Sequence, residues 1–259
     1  MRPFLLALYS LWTLFWFTVL YLLIFPFQFI CLQRESWKMM AQRLNRWCVL
    51  VFFFITGVPV RVSYQGKPLD NQTTYIFCAN HFSFLDIPVM AIVVEPFFAF
   101  VGKSGVTKIP FFGYMFAKLH IEVDRENARS GVKAFQKSVR ALMNGQSLVI
   151  FPEGGMKSKN PPKLYREFKD GAFKMAIEKQ VPIVPVTQLN NYQRMPDVPK
   201  IRFHPGVVRV IVHEPIETKG MTSSDIETLK NQVYQIISHS LEAYAEKPQE
   251  LVFKRLGLL

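Results

Sequence analysis

Acidic residues are scarce in this chain: 19 Asp and Glu stand against 31 Lys and Arg among 259 residues, a net charge of +12. That imbalance argues for an anionic neighbour, either nucleic acid or lipid. Residues 3–33 contain no charged side chain at all, a run too long for a buried helix of a soluble domain. Cysteine is nearly absent. Cys31, Cys48 and Cys78 are odd in number and have no metal-ligand spacing. They argue against a disulfide framework and fit a reducing compartment. Also missing are a Gly-x-Ser-x-Gly nucleophile elbow, internal repeats, low-complexity segments and any recognised nucleic-acid-binding motif. The basic residues are dispersed along an apolar chain, so the expected anionic neighbour is lipid and not nucleic acid.

What is plentiful is apolar. Hydrophobic residues make up 50% and aromatics 14%, with 24 Phe, and the mean hydropathy is positive at +0.14. Residues 3–33 exceed the roughly 20 needed to span a bilayer core, and Tyr9, Trp12, Trp16 and Tyr21 suit the headgroup level. A signal peptide has a shorter apolar region and a small-residue cleavage site, which do not match. Arg34, Lys38, Arg43 and Arg46 follow, against Glu35 alone. This basic cluster predicts a side facing the cytosol or an anionic leaflet. Residues 47–55 are apolar but too short to span. The expectation for residues 1–56 is a two-helix membrane anchor. Its first helix enters the bilayer, as a span or re-entrantly, and its second lies at the interface with its basic face toward lipid phosphates. The rest of the protein is expected on the cytosolic face of a membrane.

Residues 57–217 read as an α/β domain: a mixed central sheet flanked by helices. Strands are expected at 59–64 (alternating, as at a sheet edge), 75–79, 97–101, 119–123, 147–151, 181–187 and 207–213. Helices are expected at 88–94, from about 131 to a stop at Gly145, and at 171–179. In the second of these Val132, Phe135, Val139, Leu142 and Met143 share a face. Residues 218–259 read as a C-terminal helix and basic tail. Ser224-Asp225-Ile226-Glu227 resembles a capping box, followed by an apolar stripe from Ile226 to Leu241. The tail, Leu251 to Leu256, is expected to touch membrane or to fray.

One stretch carries reactive chemistry. Asn80-His81-Phe82-Ser83-Phe84-Leu85-Asp86 follows directly on the apolar strand 75–79. A regular helix would set Asp86 about 140° around the axis from His81, so the two side chains meet only if they lie on a loop. Pro88 favours that reading, with a helix beginning behind it. A neutral imidazole takes a proton from an alcohol, and a carboxylate on its other nitrogen holds the tautomer and stabilises the cation formed. The ordinary alternative is a loop histidine making one structural hydrogen bond.

Downstream motifs decide between the two. After Asn80-His81-x-x-x-x-Asp86 come Ile121-Glu122-Val123-Asp124-Arg125, then Phe151-Pro152-Glu153-Gly154-Gly155, then Val181-Pro182-Ile183-Val184-Pro185-Val186. In this order and spacing the chain resembles the glycerolipid acyltransferase family, best known for 1-acyl-glycerol-3-phosphate acyltransferases, over roughly residues 57–215. The resemblance implies a membrane-associated O-acyltransferase with His81 and Asp86 as the catalytic pair. Lys103 and Arg125 become candidates for the acceptor phosphate, and Glu153 a residue that helps the acceptor bind, or else a buried ion pair holding its loop. Gly154 and Gly155 would let backbone amides approach a phosphate or an oxyanion, unless they form a plain turn. The donor implied is acyl-CoA or acyl-carrier protein, as co-substrate; no resident cofactor and no metal is implied. The acceptor implied is a lysolipid, 1-acyl-glycerol-3-phosphate above others, giving phosphatidic acid.

One departure bears on the acceptor. Where the family continues Glu-Gly with Thr, Arg and Ser, this chain has Gly155, Met156 and Lys157. Either Lys157 supplies the missing cation as a point charge, or the acceptor has no phosphate, as in a lyso-aminolipid. A non-catalytic module that docks anionic lipid explains the charge and the anchor but not the His-Asp pair. A hydrolase passing the acyl group to water is the remaining rival.

Overall fold

The structure is a computed structural model in which residues 3–124, 127–165, 168–247 and 253–255 are described. Helix α1, Pro3–Cys31, runs 29 residues, about 43 Å at 1.5 Å per residue. Among the described residues it is the one helix long and apolar enough to cross a membrane. Its serine and threonine hydroxyls are satisfied within the helix: Ser10, Thr13 and Thr18 donate to the carbonyls of Leu6, Tyr9 and Leu14. Helix α2, Lys38–Ile55, packs back along it, and Gln28 of the first bonds Asn45 of the second.

The expectation of two membrane-inserting or interfacial helices is corrected here to one candidate, because α2 spends much of its polar face on the protein. Arg46 donates to Val94 O at 3.3 Å and lies 4.0 Å from Glu95. Gln42 donates to Pro96 O and accepts from Phe98 N. Near its C-terminal end Phe52 and Phe53 are buried in the main core.

The remaining elements are β1 (Val60–Tyr64), β2 (Ile76–Ala79), α3 (Asp86–Val93), β3 (Phe98–Lys103), α4 (Phe112–Leu119), β4 (Ile121–Val123), α5 (Ala128–Met143), β5 (Ser147–Ile150), α6 (Gly171–Lys179), β6 (Ile183–Gln188), α7 (Asn191–Arg194), β7 (Val208–Val212), α8 (Ile226–Glu246) and β8 (Lys254–Arg255). They form one mixed sheet in the order β4-β3-β5-β2-β6-β7-β1-β8. Neighbours are parallel except β6 with β7 and β1 with β8. Strand alternation supplies two cores. Phe77 and Ala79 face one side with Val184, Val186, α3 and the end of α2. Ile76 and Cys78 face the other with Leu148, Ile183, α6 and α8. Strands β2 and β6 are buried along their whole length, as central strands covered on both faces must be.

Helices α4 and α7 have no counterpart in the sequence reading, and four further details differ from it. Helix α3 starts at Asp86, because Pro88 falls in the first turn, where its missing N–H was not needed. Helix α5 starts at Ala128, capped by Asn127, whose Oδ1 accepts from Arg129 N and Ser130 N. Its buried side is Ala134, Ser138 and Leu142, while Val132 and Met143 are exposed. The capping box before α8 is Thr222 with Asp225, two residues earlier than read. Finally, Lys254–Arg255 does not hang free: it pairs antiparallel with β1, which is therefore not the sheet edge.

Candidate active site

Strands β2, β5 and β6 lie side by side and parallel in the middle of the sheet, so their C-terminal ends open onto one place. In open α/β sheets that edge is where ligands bind. Asn80 fixes it. Its Nδ2 donates to Gln188 O at 2.9 Å and its Oδ1 accepts from Gln188 N at 2.8 Å, tying the end of β2 to the end of β6.

His81 comes next. Its ring stacks on Phe151 beyond β5, centroids 4.1 Å apart and planes at 16°, and its Nδ1 lies 3.0 Å from Asp86 Oδ2. The same oxygen accepts from Phe82 N at 2.8 Å and Ser83 N at 2.9 Å. A carboxylate oxygen accepts only, so Nδ1 carries the hydrogen and Nε2 is the basic nitrogen. Asp86 is fully buried and His81 is 8% exposed. The loop is braced by Ser83, whose Oγ donates to Met195 O at 2.6 Å and accepts from Leu85 N at 3.1 Å. Phe82 is buried and packs on Tyr192, while Phe84, between the pair, is exposed.

Glu153 sits behind the imidazole, fully buried. Oε1 accepts from His81 N at 2.7 Å and Oε2 accepts from Tyr165 N at 3.1 Å. Burial pushes its carboxyl up to about 7, and the two backbone donors pull the other way. Both oxygens are thus occupied by main-chain donors, and among the described residues Glu153 makes no ion pair with a Lys or Arg. Gly154, at φ +76°, is buried, and Gly155 has φ +141°. A Cβ on Gly154 would stand 2.7 Å from Lys169 Cε, so the glycine is what lets that lysine lie across the turn.

The other candidates are spread out. Lys157 is exposed, its ammonium 4.9 Å from the centre of the Tyr165 ring. Lys103 ends β3, two strands from β2 at the same sheet edge, and is exposed. Arg125 lies outside the described residues. So the structure brings together His81, Asp86, Glu153 and Gly154, with Lys103 and Lys157 peripheral. Among the described residues no three His, Cys, Asp or Glu side chains are grouped to hold a metal ion.

Sequence reasoning missed Phe151 as the ring's support, Gln188, and Asn191, whose Nδ2 donates to Asp86 Oδ1 at 2.8 Å. No sequence signal marked the last: Asn190-Asn191 follows Thr187-Gln188-Leu189, unlike Asn80-His81, which follows the apolar run Tyr75-Ile76-Phe77-Cys78-Ala79.

The family model described as Acyltransferase matches residues 61–188. A 1-acyl-sn-glycerol-3-phosphate acyltransferase of Chlamydomonas reinhardtii is 31% identical over 186 residues, 71% of this chain and 51% of that one. A chloroplastic enzyme of the same description from Arabidopsis thaliana is 30% identical over 174 residues, 67% of this chain and 46% of that one. The chain thus spans about half the length of these curated relatives. One from Borreliella burgdorferi is 26% identical over 201 residues, 77% of this chain and 78% of that one. Among solved structures, the 1-acyl-sn-glycerophosphate acyltransferase of Thermotoga maritima superposes with a TM-score of 0.78 at 26% identity, covering 95% of this chain and 98% of that one.

Proposed function

This chain belongs to the acyltransferase family, and on that premise we propose that it is a membrane-associated O-acyltransferase. It would move a fatty acyl group from the thioester of acyl-CoA or acyl-carrier protein to the hydroxyl of a lysolipid, with 1-acyl-glycerol-3-phosphate as the favoured acceptor and phosphatidic acid as product. One observation carries the reading: Nδ1 of His81 is engaged by Asp86 at 3.0 Å, which reserves Nε2 for the acceptor.

The chemistry follows from that nitrogen. The acceptor hydroxyl gives its proton to Nε2 as its oxygen forms a bond to the thioester carbonyl carbon. Asp86 faces the imidazolium so formed. The tetrahedral intermediate collapses by breaking the C–S bond, and the proton passes from the imidazolium to the leaving sulfur. A thiol with a pKa of about 8.5 leaves readily, so one imidazole serves both halves and no acyl-enzyme is required. Cys78 is fully buried in β2, with its thiol pushed far up by burial, and is no rival nucleophile.

The acceptor has a second reading, favoured by Met156 in place of an arginine and by Lys157 lying on the Tyr165 ring: a lyso-aminolipid without phosphate. Free-thiol release from acyl-CoA by the protein in vesicles tests all of these. Release that depends on lysophosphatidic acid and disappears in His81→Ala supports the proposal. A higher kcat/KM with the lyso-aminolipid selects the second acceptor. Release without acceptor makes the protein a hydrolase, and undiminished turnover by His81→Ala ends the mechanism.

A further inference from the structure

The family match stops at residue 188, yet the carboxylate at the centre of the site has a partner beyond it. Three N–H groups converge on Asp86 Oδ2, from His81 Nδ1, Phe82 N and Ser83 N. Oδ1 receives one side-chain donor, Asn191 Nδ2 at 2.8 Å, across 105 residues of sequence. The terminal torsion of an aspartate is soft. A donor on Oδ1 closes that torsion and leaves Oδ2 aimed at the imidazole. We propose that Asn191 is a positioning residue of the acyl-transfer centre, acting on His81 through Asp86. This rests on His81 being the base, as argued above.

The orientation of the Asn191 amide is forced. Its Nδ2 also donates to Gln188 Oε1, so turning it over would set its oxygen against two acceptors. Gln188 in turn donates from Nε2 to Asp86 O at 3.3 Å and from its backbone N to Asn80 Oδ1. Asn80, Gln188, Asn191 and Asp86 thereby link the ends of β2 and β6 to the starts of α3 and α7. Asn191 is 1% exposed, and among the described residues its own Oδ1 is buried without a hydrogen-bond partner. A buried amide with an orphan acceptor calls for a reason, and the donor it supplies to Asp86 is one. Its neighbour Asn190 is the contrast. Equally buried, it bonds only main chain around β7, donating to Val207 O and accepting from Arg209 N, each at 2.9 Å.

The test compares full-length Asn191→Ala, Asn191→Asp, Asn190→Ala and His81→Ala in vesicles, by acceptor-dependent thiol release. Both Asn191 variants should lose about ten- to a hundredfold in kcat, the scale of a misplaced catalytic group, with KM for either substrate within about twofold. In Asn191→Asp the new carboxyl donates to Asp86 only when protonated. Its rate relative to wild type should therefore rise as pH falls. The ionisable groups around the position (His81, Asp86, Glu153, Tyr192 and Arg194) are present in both proteins, so the ratio isolates the effect of the new carboxyl, which includes its charge beside Asp86. Asn190→Ala should lower thermal stability and leave kcat per folded molecule unchanged. Wild-type kcat in Asn191→Ala, or a loss that only tracks the folded fraction, overturns the proposal. Should that variant fail to fold, the near-isosteric Asn191→Asp decides, and a pH-independent ratio overturns it. An inactive His81→Ala beside a normal Asn191→Ala removes the positioning role alone, whereas an active His81→Ala removes the reading beneath it.

Discussion

At the scale of the residue, the ionisation of Glu153 has a measurable consequence. In the folded protein its carboxyl is pushed up to about 7 from the ordinary 4.5, first by burial. Below 4.5 the carboxyl is neutral in both folded and unfolded chains. Between 4.5 and 7 only the folded chain holds the proton, so raising the pH favours unfolding, and above 7 the cost is complete. A displacement of that size removes about 3 kcal/mol of stability across the window. Denaturant midpoints of wild type and Glu153→Gln, measured from pH 5 to pH 8 in detergent, should show wild type weakening relative to a variant that cannot ionise. Parallel midpoints across the range would mean that Glu153 titrates normally. The residues of the site were legible in proportion to their closeness in sequence. His81 lies on the loop after β2 and Asp86 opens α3 just behind it, five positions on, so local spacing was enough to pair them. Glu153 could be found as a motif but not understood, because its partners, the backbone amides of His81 and Tyr165, exist only after the sheet has formed. Asn191 has no motif at all, and its role depends on β6 lying beside β2.

At the scale of the element, the apolar periodicities carried most of the fold. The central strands are short continuous apolar runs, and α6 and α8 have clean stripes, so their positions follow from burial alone. Helix α4 was not read, because nothing in Phe111-Phe112-Gly113-Tyr114 announces a helix start. Phe111 precedes it at φ +61°, packed edge-on against Phe25 of α1 at 4.9 Å, a contact that no local rule predicts. Strand β8 was read as a tail for a similar reason: two residues have no periodicity. Its place gives an expectation of its own. Phe253, just before β8, lies over Arg209, which also donates to Tyr244 OH at 3.2 Å. Ending the chain before residue 253 uncovers the backbone edge of β1 and removes that stacking, worth about 1 kcal/mol. Light scattering of the truncated protein on mild heating should show aggregation setting in several degrees below wild type. An unchanged onset would mean that β8 guards nothing.

At the scale of the whole molecule, the question is how an uncharged 29-residue helix sits against a domain of high positive charge. Helix α1 is held to that domain near both ends. Tyr9 OH donates to Thr56 O at 2.9 Å and Ser10 Oγ accepts from Phe203 N at 3.0 Å. At the far end Gln33 donates to Tyr114 OH, and Phe29 packs on the same ring. A helix crossing a bilayer away from its domain is held at one end only. One held at both ends lies along the domain, with its outer face left for lipid. That face includes Phe4, Leu8, Leu11, Phe15 and Leu22, all about half exposed or more, recurring at the three- and four-residue steps of one helix side. The proposed membrane association is then an apolar contact reinforced by the charge of +12, and the two contributions separate by salt. Raising ionic strength shortens the Debye length and weakens attraction to anionic lipid, but it leaves apolar burial intact. Vesicle co-sedimentation should therefore lose its preference for anionic over neutral lipid in high salt without losing binding. The triple substitution Leu8→Asp, Leu11→Asp and Phe15→Asp should cut binding to neutral vesicles by about tenfold or more. Because those side chains lie outside the two main cores of the α/β domain, turnover of a water-soluble short-chain acceptor should survive the change. Binding unaffected by the three aspartates, with full release by salt, would mean that charge alone holds the protein at the surface.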